Sequence, residues 1–158
     1  MKHYSIEVKC SISASIDHVW SVLADFSGYH KWNPFVPRME CDMQIGSPIK
    51  MHVRLDPNRS KLTKQVEYLR AWDPPHTMRW GFTWGPFLTA DRVQTLSVLN
   101  DQTTLYYTSD TFTGWLAPLI YRFYGPKIQL GFESTAKGLK DVVEQEVIRN
   151  TPEIKNEQ

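Results

Sequence analysis

From Tyr4 to Ile12, apolar and polar side chains alternate. Tyr4, Ile6, Val8, Cys10 and Ile12 fall on one side, and Ser5, Glu7, Lys9 and Ser11 on the other. A period of two predicts a half-buried strand. The period then changes: Ile16, Val19, Trp20 and Leu23 recur at steps of three and four, the apolar stripe of a helix. Ser15 is placed to cap this helix, and Asp17 sits in its first turn, where the helix dipole favours an anion. Gly28 permits a turn, opening room for a second short helix, and Pro34 and Pro37 stop helical continuation.

Strand patterns follow at 38–43, 48–55, 62–72, Thr77–Trp84, 90–99 and Thr103–Thr113. The breaks between them are rich in turn formers: Gly46, Asp56-Pro57-Asn58-Arg59-Ser60, Asp73-Pro74-Pro75-His76, Gly85-Pro86 and Asn100-Asp101-Gln102. A helical period then carries the chain to Thr151-Pro152 through Ile128, Phe132, Thr135, Leu139, Val142 and Glu146, widened by Val143 and Val147. Gly114, Pro118, Gly125 and Pro126 predict an irregular approach to this helix. The order strand, short helices, six strands, long helix predicts an α+β domain over 1–150. Its antiparallel sheet of about seven strands lies against one long helix, with a flexible tail at 151–158.

A length of 158 residues allows one domain with a real core. The formal net charge of +1 argues against a large electrostatic footprint for nucleic acid or an anionic membrane and leaves room only for a local basic patch, so no nucleic-acid partner is expected. No stretch reaches the roughly 18 apolar residues of a membrane span, so stable membrane insertion is not expected. With no secretory pattern at the start, the expectation is a cytoplasmic protein whose Cys10 and Cys41 stay reduced. Oligomeric state is left open. Six Trp, seven Tyr and seven Phe serve either a core filled with large side chains or a ring-lined pocket.

The hairpin after residue 89 places candidate chemistry. With its turn centred on Asp101, Arg92 faces Asp110, Gln94 faces Thr108 and Leu96 faces Tyr106, and Phe112 shares the face of Asp110. This face is either a solvated strand surface or a pocket wall. If it is buried, Arg92 and Asp110 are expected to pair, because an unpaired buried charge is costly. Met78, Trp80, Phe82 and Trp84 share one face of their strand, and Tyr68 and Val66 continue it on the preceding strand if the facing matches. Trp32, Asn33 and Phe35 lie on a loop that is either a rim gate or a hydrophobic staple. His3, His18, His30, His52 and His76 show no ligand spacing, so neither a metal nor another cofactor is expected.

The stretches Ser15–Phe26, Tyr29–Pro34, Gly46-Ser47-Pro48, Asp73-Pro74-Pro75, Asp110–Gly114, Gly131-Phe132 and Gly138-Leu139-Lys140 resemble the START-like helix-grip superfamily, in its SRPBCC, polyketide cyclase/dehydrase-like group. The resemblance implies a curved sheet gripping the last helix around an apolar cavity. It implies a ligand site drawn from Trp32, Phe35, Tyr68, Met78, Trp80, Phe82, Arg92, Gln94, Tyr106, Thr108, Asp110, Phe112, Ile128 and Phe132. Relatives often carry His and Glu where this chain has Arg92 and Asp110, so an imidazole role does not transfer. The expected function is binding of a hydrophobic or amphipathic small molecule: a lipid, an isoprenoid-like chain or an aromatic metabolite. The alternatives are a cyclase or dehydratase, with Asp110 or Tyr106 as the weak catalytic candidates, and a chaperone-like interaction protein without ligand.

Overall fold

A computed structural model describes residues 3–151. The expected tail beyond Thr151 lies outside the described residues. The first strand, β1 (Tyr4–Ile12), leads into α1 (Ile16–Leu23), where the Ser15 hydroxyl accepts the His18 N–H at 3.4 Å. A two-turn 3-10 helix follows at Phe26–Lys31. Six further strands are β2 (Arg38–Glu40), β3 (Pro48–Val53), β4 (Thr63–Asp73), β5 (Thr77–Trp84), β6 (Leu88–Asn100) and β7 (Thr103–Thr113). They form one seven-stranded antiparallel sheet in the order β1-β7-β6-β5-β4-β3-β2. The sheet curls into a half-barrel around the long helix α2 (Ala117–Asn150).

The approach to α2 differs from the irregular segment expected. The helix runs unbroken from Ala117, eleven residues before the periodic stripe begins at Ile128. Pro118 lies in the first turn, where the backbone N–H has no helical partner to lose. Pro126 is inside the helix but on its exposed side, as is Arg122, whose carbonyl it leaves without a donor.

The concave face holds the core. The Trp20 and Trp72 ring centres are 5.1 Å apart, and Phe26 sets its edge towards Trp72 and Trp80 at 6.2 and 6.3 Å, so the short helices close one end of the barrel. The loop after them is riveted to α2. Asn33 Oδ1 accepts the N–H groups of Phe35 and Val36 at 3.1 and 2.9 Å and lies 3.2 Å from the Thr135 hydroxyl. Two helix glycines make this approach possible: a Cβ at Gly138 would collide with the Trp32 carbonyl, and one at Gly131 with the Phe35 ring.

One irregularity reorients a strand. β4 carries a bulge between Leu69 and Ala71, so alternation breaks within it. Trp72 and Leu69 both face the core, Gln65 and Glu67 follow Leu69, and Val66 and Tyr68 point outward, each 50% exposed.

Candidate functional site

Between the sheet and α2 lies a cavity of about 330 Å³. That is at the lower end of small-molecule pockets, which span roughly 300–1,000 Å³. Its apolar wall includes Phe35, Trp80, Phe82, Phe112, Ile128 and Phe132, and three ionisable groups join it: Arg92, Asp110 and Glu67. The cavity reaches the surface, because the exposed Thr63 and Tyr124 are also part of its lining.

Arg92 is the central polar feature. It lies opposite Trp80 on β5 and Asp110 on β7, in the register expected of the hairpin. The residue is 6% exposed. The expected ion pair with Asp110 does not form. Instead the guanidinium sits 4.1 Å from the Phe132 ring centre and 5.5 Å from that of Trp80, and Nε–H reaches Thr108 Oγ1 at 3.4 Å. Such cation–π contacts hold a cation while leaving its N–H edge free for a ligand.

Asp110 Oδ1 is buried without a hydrogen-bond partner. Burial pushes the Asp110 carboxyl up to about 6, only partly offset by Arg92. Glu67 is pushed to about 8, first by burial and then by the nearby Asp110 charge, against the pull of Arg92 and Arg70. At neutral pH the cavity therefore holds a cation, a largely protonated Glu67 and a mostly ionised Asp110. A proton donor and a proton acceptor share one apolar chamber.

Of the residues singled out from sequence, Phe35, Trp80, Phe82, Arg92, Asp110, Phe112, Ile128 and Phe132 line the cavity. Trp32 is buried in the staple, its ring 4.7 Å from Tyr29. Met78 and Gln94 are core residues. The Tyr106 hydroxyl donates to Gln94 Oε1 at 2.6 Å, and burial raises its pKa, so it is a structural link rather than a group presented to the cavity. Thr108 supports Arg92 from beneath. Tyr68 lies on the outer face, because counting by twos back from Trp72 runs through the β4 bulge and inverts the facing. The same inversion hides Glu67 and Gln65 from a periodicity argument. Ile120 and Tyr124 carry no sequence signal, because Gly114, Pro118, Gly125 and Pro126 make the first turns of α2 read as irregular.

Among the described residues, no group of three His, Cys, Asp or Glu side chains is arranged to hold a metal ion. Nor, among the described residues, is any helix long and apolar enough to cross a membrane.

Comparison with known proteins agrees with this architecture. In superposition the chain matches the Zhui aromatase/cyclase from Streptomyces sp. R1128 with a TM-score of 0.75 at 15% identity, covering 92% of this chain and 96% of that one. A norcoclaurine synthase point mutant from Thalictrum flavum, in complex with a transition-state analogue, gives 0.68 at 13% identity over 92% and 97% of the two chains. A START superfamily protein from Mycobacterium smegmatis gives 0.64 at 15% identity over 95% and 100%. At these identities the likeness establishes the fold alone. No curated protein matches at the sequence level. The family model described as polyketide cyclase / dehydrase and lipid transport matches residues 3–145, nearly the whole chain, and the protein belongs to that family.

Proposed function

We propose that the chain binds a hydrophobic small molecule with a polar head, its apolar body against the aromatic wall and its head on Arg92. The observation that carries this reading is the Arg92 guanidinium, buried in an apolar cavity and held by rings rather than by a carboxylate. Burying apolar ligand surface contributes roughly 25 cal/mol per Å². A carbonyl, carboxylate or phenolate on the ligand would supply an acceptor for the guanidinium N–H groups not engaged by Thr108. A cavity of about 330 Å³ suits one ring system or a short chain better than a two-chain lipid. The test is titration with an aromatic anionic probe, anilinonaphthalene sulfonate. Wild-type protein should bind it at one site, and Arg92→Met should weaken binding about tenfold or more. Equal affinity in both proteins would refute Arg92 as the head-group anchor.

A second reading is favoured by a specific observation. Glu67 and Asp110 have raised and unequal pKa values in the same chamber, the pattern of an acid–base pair. A cyclase or dehydratase acting on a polyketide-like or aromatic substrate would use protonated Glu67 as donor and Asp110 as acceptor. If so, Asp110→Asn abolishes turnover of such a substrate while binding persists. Unchanged turnover removes Asp110 as acid or base.

A further inference from the structure

The mouth of the cavity carries an apolar surface that the core does not use. Trp84, Phe87 and Trp115 cluster outside the barrel, the first pair tilted and the second edge-to-face, with ring centres 5.1 and 5.6 Å apart, and they are 60%, 40% and 72% exposed. Leu119 and Phe123 follow Trp115 at steps of four and are 53% and 61% exposed. The surface is continuous with the opening: Leu88, next to Phe87, and Ile120 and Tyr124, next to Leu119 and Phe123, line the cavity.

The charge around this surface is predominantly positive. Between Thr111 and Phe132 the charged residues are Arg122 and Lys127, with no acid. Across the mouth, the β3–β4 loop presents exposed Arg59 and Lys61, and its one carboxylate, Asp56, is ion-paired to Arg59 at 3.2 Å. Leu55 and Thr63, near the two ends of that loop, line the same cavity, and Pro57 shares a surface groove with Lys127. In a chain of net charge +1, this cationic rim means that carboxylates are in excess elsewhere.

We propose that this face docks on an anionic membrane surface, the aromatic side chains entering the headgroup region and the cations meeting lipid phosphates, so that the cavity opens towards the bilayer. Trp and other rings flanked by Arg and Lys are the side chains that the membrane interface favours. Five apolar side chains with a few cations give peripheral, reversible binding rather than insertion. A second copy of the chain fits the patch less well, because a two-fold contact would set this cationic patch against its own copy, with no acid between Thr111 and Phe132 to pair Arg122 or Lys127. The docking stands on exposure and charge, and it holds whether or not the cavity is occupied.

The test is flotation of the ligand-free protein with two kinds of vesicle, phosphatidylcholine alone and phosphatidylcholine with about a third phosphatidylglycerol. Binding is expected to the anionic vesicles and to fall with added salt. Arg122→Gln with Lys127→Gln should cut the partition coefficient about fivefold per cation removed. Trp115→Ser with Phe123→Ser should abolish flotation while keeping the wild-type unfolding temperature, since both side chains are exposed. Flotation with neither vesicle, or flotation unchanged by both pairs, overturns the proposal. A concentration-dependent dimer dissolved by the aromatic pair would assign the face to a second copy and overturn it equally.

Discussion

Arg92 lies 4.1 Å from the centre of the Phe132 ring, so the buried cation of β6 is held in place by the helix that closes the cavity. The contact joins the two walls of the chamber. It also explains how a charge tolerates burial without an ion pair: the ring quadrupole and the Thr108 hydroxyl replace part of its hydration. Phe132→Leu keeps the volume roughly apolar but removes the ring. It should weaken binding of an anionic aromatic probe several-fold, by about 0.5–2 kcal/mol, with little change in secondary structure by circular dichroism. Undiminished binding would show that the ring does not position Arg92.

Glu67 links the cavity to pH. Its folded pKa, about 8, lies above the ordinary value of 4.5, so the folded chain holds a proton that the unfolded chain releases. This contribution to stability is intact below about pH 4.5 and is lost as pH rises through about 8. Glu67→Gln cannot ionise. It should be nearly neutral at pH 4 and more stable than wild type at pH 9 by roughly 2–4 kcal/mol in denaturant titrations. Parallel stability curves for the two proteins would contradict a buried, protonated Glu67.

Trp80 supports both core and cavity. It is 2% exposed and touches Arg92 and Phe26. Trp80→Ala should cost about 3–5 kcal/mol in equilibrium unfolding and also weaken ligand binding.

Tyr106 should behave differently. Tyr106→Phe removes the hydroxyl bonded to Gln94 and leaves a buried amide oxygen unpaired. The expected loss is about 1–3 kcal/mol of stability with probe affinity unchanged. Altered affinity at full stability would place Tyr106 in the site after all.

The sequence makes the fold legible because its periodicities agree with the final packing. The hairpin register that faces Arg92 with Asp110 follows from a turn at Asn100-Asp101-Gln102 and is the register observed. What periodicity does not reach is where a local rule is broken. The bulge at Arg70 turns Glu67 inward and Tyr68 outward, and no pattern in the strand announces it. Pro118 and Pro126 read as breakers, yet one sits in a first turn and the other faces solvent, so the helix starts well before its apolar stripe. The pairing of Arg92 with Asp110 was expected from the cost of burying a lone charge. The structure meets that cost with aromatic faces, which register alone does not reveal. Loop residues Trp32 and Phe35 turn out to be a staple because Gly131 and Gly138 let the loop approach the helix backbone.

That staple gives a further test. Gly138→Ala improves helix propensity by about 1 kcal/mol on an isolated helix. Here the new Cβ meets the Trp32 carbonyl, so the substitution should lower the unfolding temperature instead. A rise would mean that the loop is not packed on α2.

The central claim, a cavity that holds a small amphipathic molecule, is tested most directly by native mass spectrometry of protein purified without detergent, followed by organic extraction. Wild-type protein should carry a stoichiometric small-molecule adduct. Ala90→Phe, which fills the chamber beneath α2, should lose it while keeping the wild-type circular dichroism spectrum. An adduct retained at the same occupancy in Ala90→Phe would place the ligand elsewhere and contradict the account.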